Sequence, residues 1–168
     1  MKLSNAIKST LLAPIFGVLA LGAASTSAVA STATATMGVT ATVQATCIVS
    51  ATPMGFGTYI STAASTSTSA ITVTCTNSTT YTLGLDAGLN GGTVTTRQMK
   101  NGTALLNYAL FSDSGRTTNW GNTTGSWVSG TGNGSGQAIT VYGQAAAGQY
   151  VTPGAYSDSI TATVTYKT

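Results

Sequence analysis

The chain has 168 residues, six Lys and Arg against three acidic residues, a formal net charge of +3, and no histidine. Without histidine, Ser-His-Asp and Cys-His catalysis of the usual kinds are excluded, and cations scattered from Lys2 to Lys167 build no phosphate-binding stripe. Charged residues make up 5% and hydrophobic ones 42%, which is not the composition of a disordered chain. Thr, Val, Ile and Tyr favour strands and long straight helix-formers are scarce, so an all-β domain is expected.

In chain order, Lys2 and Lys8 precede an apolar run from Leu11 to Ala24, and Ala28-Val29-Ala30 closes it with a small-x-small pattern. This reads as a secretory signal peptide over residues 1–30. The run is short for a membrane span of about 20 residues, so a retained anchor is the weaker alternative. Cleavage after Ala30 leaves residues 31–168 with four cations and three carboxylates, a net charge of +1.

Residues 31–47 read STATATMGVTATVQATC. From Ala33 to Cys47 every odd position is apolar, through Ala35, Met37, Val39, Ala41, Val43 and Ala45; every even position from Thr32 is Thr, Gln or Gly. That is the alternation of a strand with one buried face. At about 3.3 Å per residue it extends roughly 50 Å, against a usual strand of about 5–6 residues. Residues 31–46 are assigned to an N-terminal extension and 47–168 to a single β-domain.

Within that domain Ile48 and Val49 continue the strand, and Pro53 with Gly55-Phe56-Gly57 marks a bent or bulged segment. Residues 61–69 are expected to be a polar connection. Residues 70–76 alternate, with Ile71, Val73 and Cys75 on one face, and residues 81–88 do so through Tyr81, Leu83 and Leu85. Asn90-Gly91-Gly92 is a turn. A short strand over 93–99 and a turn at Lys100-Asn101-Gly102 lead to 104–113, where Leu106, Tyr108 and Leu110 share a face. Residues 114–136 are expected to form a long loop carrying Trp120 and Trp127. Residues 137–145 are a strand with Ile139 and Val141 inward, and Pro153-Gly154 suits a type II turn. The last segment places Tyr156, Ile160, Ala162, Val164 and Tyr166 on one face. Six or seven short strands separated by turns predict an Ig-like β-sandwich.

Two cysteines in an exported chain are expected to pair, Cys47 with Cys75. A two-cysteine metal site is the alternative, and it lacks further ligands. Asp86, Asp113 and Asp158 suit strand ends and turns better than a catalytic pair. The alternating Gly130, Gly132, Gly134 and Gly136 lack the Lys and Ser/Thr of a phosphate loop. Trp120 and Trp127 can stack on sugars or fold back to cap the sandwich. Asn77, Asn101, Asn122 and Asn133 begin N-x-Ser/Thr sequons, which matter only in a glycosylating host. No cofactor, metal or enzymatic activity is expected.

Several segments together resemble the spore coat protein U domain family, whose members include subunits of archaic chaperone-usher pili. They are the Cys47 segment after an alternating N-terminus, Met54-Gly55-Phe56-Gly57-Thr58-Tyr59, Ile71-Thr72-Val73-Thr74-Cys75 and Leu106-Asn107-Tyr108-Ala109-Leu110-Phe111. Trp120-Gly121-Asn122, Val141-Tyr142-Gly143 and Pro153-Gly154-Ala155-Tyr156-Ser157-Asp158 complete the set.

The resemblance implies an incomplete Ig-like sandwich lacking its final strand, with a hydrophobic groove along Tyr156, Ile160, Ala162, Val164 and Tyr166. It implies that a periplasmic chaperone and an outer-membrane usher handle the subunit. It also implies that the N-terminal strand of a neighbour fills the groove, with Met37, Val39, Ala41 and Val43 as the inserting side chains, in a head-to-tail homopolymer. The expected product is a cell-surface fibre for adhesion and biofilm formation, and the room for one domain favours a shaft subunit. A spore or cell coat protein of the same family, and a secreted carbohydrate-binding module or hydrolase, are the alternatives.

Overall fold

The computed structural model describes residues 28–168; the expected signal run up to residue 27 lies outside the described residues. Residues 41–168 form a compact unit. Eight strands follow in order: β1 (Cys47–Ala51), β2 (Ser65–Cys75), β3 (Thr80–Leu85), β4 (Arg97–Asn101), β5 (Ala104–Phe111), β6 (Val128–Thr131), β7 (Gln137–Ala145) and β8 (Ala162–Tyr166). The described residues contain no helix. One sheet has the order β1-β2-β7-β5-β4 and the other β6-β3-β8, and every pairing is antiparallel.

Period-two alternation accounts for the core. Ile71, Val73 and Cys75 on β2 face Tyr81, Leu83 and Leu85 on β3, and all six are buried. Leu106, Tyr108 and Leu110 on β5 and Val141 on β7 complete it. Cys47 lies directly opposite Cys75 in the β1–β2 register, and the two form the expected disulfide.

Trp120 is fully buried, and its indole Nε1 donates to the Leu83 carbonyl at 2.9 Å. It caps the interior and is unavailable to a sugar; Trp127 remains 37% exposed.

The structure departs from the sequence reading in four places. Strand β2 begins at Ser65, inside the stretch read as a polar connection. Its backbone pairs with β7 from Ser65↔Ala145 onward, and a ladder is indifferent to the polarity of side chains. The hydroxyls of Ser65 and Ser67 donate to the carbonyls of Phe56 and Gly55, both at 2.7 Å, and Ser69 bonds the carbonyl of Thr52. Three serines at every second residue thus hold the segment after β1 against the sheet, where it has left the ladder.

Strand β6 lies within the stretch read as loop. It has one apolar residue, Val128, and is defined by its partner: Gly130 sits opposite Tyr81, where a Cβ would come within 2.4 Å of the ring. Strand β4 starts at Arg97, because Thr93 and Thr96 close a tight turn before it, and runs through Asn101. Finally, residues 28–46 carry no strand assignment. An alternating segment supplies one face but half a ladder, and ahead of Thr46 no described strand pairs with it.

Candidate functional site: an open groove between two sheet edges

Strands β1 and β8 are edge strands of different sheets, and they approach each other along one side of the sandwich. Among the described residues β1 pairs only with β2, and β8 only with β3. Their outer N–H and C=O groups are therefore free to pair with another strand.

They run in opposite directions. Cys47 at the start of β1 is level with Cys75 at the end of β2, and Tyr166 at the end of β8 is level with Tyr81 at the start of β3. A short turn joins β2 to β3, so the start of β1 and the end of β8 share one end of the sandwich.

Where the end of β1 meets the start of β8 lies a groove of ≈ 480 Å³. Ala51, Met54 and Phe56 line one wall and Tyr156, Ile160 and Ala162 the other. The floor is apolar core, including Ile71, Leu85, Leu110 and Val141. A second hollow of ≈ 820 Å³ opens beyond it and shares Met54, Phe56, Met99 and Tyr156.

Exposure marks an unfinished interior. On β3 the inward residues Tyr81, Leu83 and Leu85 are 4%, 0% and 1% exposed. On the neighbouring β8 the inward Ala162, Val164 and Tyr166 are all only half-buried. Across the opening Val49 of β1 is 40% exposed. The core is closed on β3 and open at its neighbour, and a missing strand would produce that pattern.

The rim on the β8 side is held by polar contacts instead of a ladder. Asp158 accepts from the Tyr108 hydroxyl at 2.6 Å, the Leu89 amide at 2.9 Å and the Asn90 side chain at 3.0 Å. Gly88, at φ +82°, lies against this carboxylate, where a Cβ would come 2.1 Å from an oxygen. Burial, then the hydrogen bond to Asp158, pushes the Tyr108 phenol far above its ordinary range.

Asp86 accepts from the amides of Thr161 at 2.9 Å and Gly88 at 3.0 Å, tying the end of β3 to the start of β8. Behind the rim Arg97 is fully buried. Its guanidinium donates to the carbonyls of Asp86, Val94, Leu85 and Trp120. Burial pulls its pKa down, opposed by Tyr108, Asp86 and Asp158; it stays a cation.

A pH dependence follows. Burial alone would raise the Asp86 pKa, but the Thr161 and Gly88 hydrogen bonds and the Arg97 charge bring it below the ordinary 3.8. A depressed carboxylate stabilises the fold above its unfolded pKa and loses that contribution as pH falls through the folded value. With no histidine or glutamate in the chain, unfolding free energy is expected to be flat from about pH 5 to 9 and to fall below about pH 4. Asp86→Asn should flatten part of the acid limb. Chemical denaturation across pH measures both; a transition near pH 6.5 would contradict the assignment.

Of the residues named from sequence, Tyr156, Ile160 and Ala162 line the groove, while Val164 and Tyr166 continue along β8 opposite Leu83 and Tyr81. Met37, Val39 and Val43 are 84%, 82% and 81% exposed, and Ala41 is exposed as well. The opposite wall, from Ala51 to Phe56, was not assigned a role from sequence. Its available signal was the Met54-x-Phe56 spacing after Pro53, which reads as a bent edge.

Residues 33–163 match the Spore Coat Protein U domain. Protein U of Myxococcus xanthus is 35% identical over 99 residues, 55% of this chain and 55% of the relative; the chain thus spans about half the length of that curated relative. Among solved structures, the CsuC-CsuE chaperone-tip adhesion subunit pre-assembly complex of archaic chaperone-usher Csu pili from Acinetobacter baumannii contains a similar chain. The likeness has a TM-score of 0.55 at 27% identity and covers 73% of this chain and 40% of that one. An all-β, Ig-like sandwich open along one seam, with a domain match over most of its length, places this chain in the Spore Coat Protein U domain family.

Proposed function

We propose that the chain is a structural subunit of a bacterial surface pilus that polymerises by donor-strand complementation. One observation carries the reading: an apolar groove lies between two unpaired strand edges, in a chain that also has an alternating N-terminal segment with exposed apolar side chains. Residues 33–45 of a neighbouring copy supply the missing strand by β-addition. Met37, Val39, Ala41 and Val43 enter, and Gly38 and the threonines face away. Each buried valine contributes about 1.5–3 kcal/mol before the costs of association. Donor and acceptor surfaces differ, so the contact is head-to-tail and builds filaments.

Family and fold are those of structural coat and pilus subunits, not of enzymes. The similar solved chain comes from a chaperone–subunit complex, which supports a periplasmic chaperone as the transient occupant of the groove. An outer-membrane usher then passes the subunit to the growing fibre, which serves adhesion and biofilm formation. Export follows from residues 1–30 acting as a signal peptide. The identity to Protein U favours one second reading, a coat layer built by the same strand exchange.

The test is deletion of residues 31–43. The truncated subunit is expected to remain soluble with its chaperone as a one-to-one complex and to fail as a donor. Fibres of normal length would sink the proposal, and electron microscopy of cells carrying the intact chain separates fibres from a layer.

A further inference from the structure

The extension is covalently attached to the domain whose groove it matches. A segment on a short flexible tether meets its own groove at an effective concentration of about 1 mM, so at about 10 µM subunit self-filling would win by roughly 100-fold. Polymerisation therefore needs something that keeps the extension out of its own groove.

Residues 41–47 supply it. Strand β1 does not end at the disulfide. Thr46 carries the pairing one residue further: the Thr76 amide donates to the Thr46 carbonyl at 2.9 Å, and the Thr46 amide donates to the Thr76 hydroxyl at 3.0 Å. The two hydroxyls lie 3.1 Å apart. The chain at Thr46 is thus held in line with β1 and against β2, on the edge away from the groove.

To enter the groove of its own domain, the chain would have to reverse just before Cys47 and return along the outer edge of β1. Two-residue hairpin reversals favour residues that accept positive φ, and other tight turns are enriched in Pro, Gly, Asn and Asp. From Val39 to Thr52 there is no Gly, Pro, Asn or Asp. The nearest glycine, Gly38, would put the turn roughly 25 Å short of β1, leaving too few residues to come back.

We infer that the Thr46–Thr76 clasp, next to the Cys47–Cys75 bridge, is a direction-setting device that bars residues 33–45 from the groove of their own chain and reserves it for a second copy. This rests on the proposed role of the groove as an acceptor of an apolar strand.

The test compares three oxidised chains beginning at Ser31. The first is the natural sequence. The second carries a flexible six-residue Gly/Ser/Asn insert between Thr46 and Cys47. The third carries residues 33–45 repeated after Thr168 through the same linker. The insert is expected to convert assembling protein into a monomer whose unfolding midpoint is independent of concentration. In the natural sequence, monomers isolated by dilution should exchange the amides of residues 39–45 at the rate of free peptide.

Slow exchange of those amides in a natural monomer overturns the inference, as does an insertion variant that assembles like the natural chain. If the insert disturbs folding, the exchange measurement decides alone. The third chain separates the two ideas: if the repeated segment gives no gain in stability, the groove is not a strand acceptor and the proposed function itself fails.

Discussion

Replacing Trp120 with alanine is expected to lower the unfolding free energy by about 4–5 kcal/mol. Truncating a buried tryptophan costs about 3–5 kcal/mol in lost contacts and residual cavity. The Leu83 carbonyl, which accepts from the indole at 2.9 Å, is left buried without that donor, adding about 1 kcal/mol or more. The site cannot easily collapse, because the Trp120 carbonyl accepts from Arg97 at 2.7 Å and its amide donates to the Leu110 carbonyl at 2.9 Å. Its backbone is therefore tied to β4 and β5 of one sheet, while its indole is tied to β3 of the other. Domains of this kind have about 5–15 kcal/mol in total, so the variant would be marginal. Urea unfolding followed by far-ultraviolet circular dichroism measures the loss. Trp120→Phe, which keeps most of the apolar volume, should cost about 1–3 kcal/mol. A loss below about 2 kcal/mol for the alanine variant would show that the loop closes over the gap and that Trp120 does not join the sheets.

The second large effect concerns assembly. Val39→Asp together with Val43→Asp should weaken strand donation at least about 1,000-fold, since each buried, unpaired carboxylate costs several kcal/mol and 1.4 kcal/mol is tenfold in affinity. The groove makes the penalty worse: its titratable lining groups are Asp158, Tyr108 and Tyr156, with no cation among them. Thr40→Asp with Thr42→Asp, on the opposite face of the same alternating segment, should lose no more than about tenfold. Competition between a 33–45 peptide and its variants for the subunit measures both pairs. Equal losses from the two faces would refute the assignment of Met37, Val39, Ala41 and Val43 as the inserting side.

Legibility varied with how far a residue's neighbours lie along the chain. The floor of the groove was readable because Ile71, Leu85, Leu110 and Val141 sit on alternating strands whose inward face follows from period two. The expected line of Tyr156, Ile160 and Ala162 was readable for the same reason, although only Ala162 belongs to β8 and the others are held outside the ladder. The wall from Ala51 to Phe56 was not. Pro53 and two glycines announce a bend, but the bend is fixed by Ser65, Ser67 and Ser69, in a stretch whose polarity hid a strand. Arg97 was also silent. A lone arginine in a short polar strand gives no sign that four carbonyls from elsewhere will surround it.

The sequence by itself determined the all-β class, the pairing of its two cysteines, the inward faces of the core strands and the odd length and one-sidedness of the N-terminal segment. These depend on side-chain alternation, turn residues and composition, all carried by neighbours in the chain. Tertiary structure alone decided which strands would be edges, that β1 and β8 border one opening, and that Ser65 and Val128 begin strands. Those outcomes depend on backbone pairing between distant segments, and a backbone donor or acceptor is the same in every residue but proline.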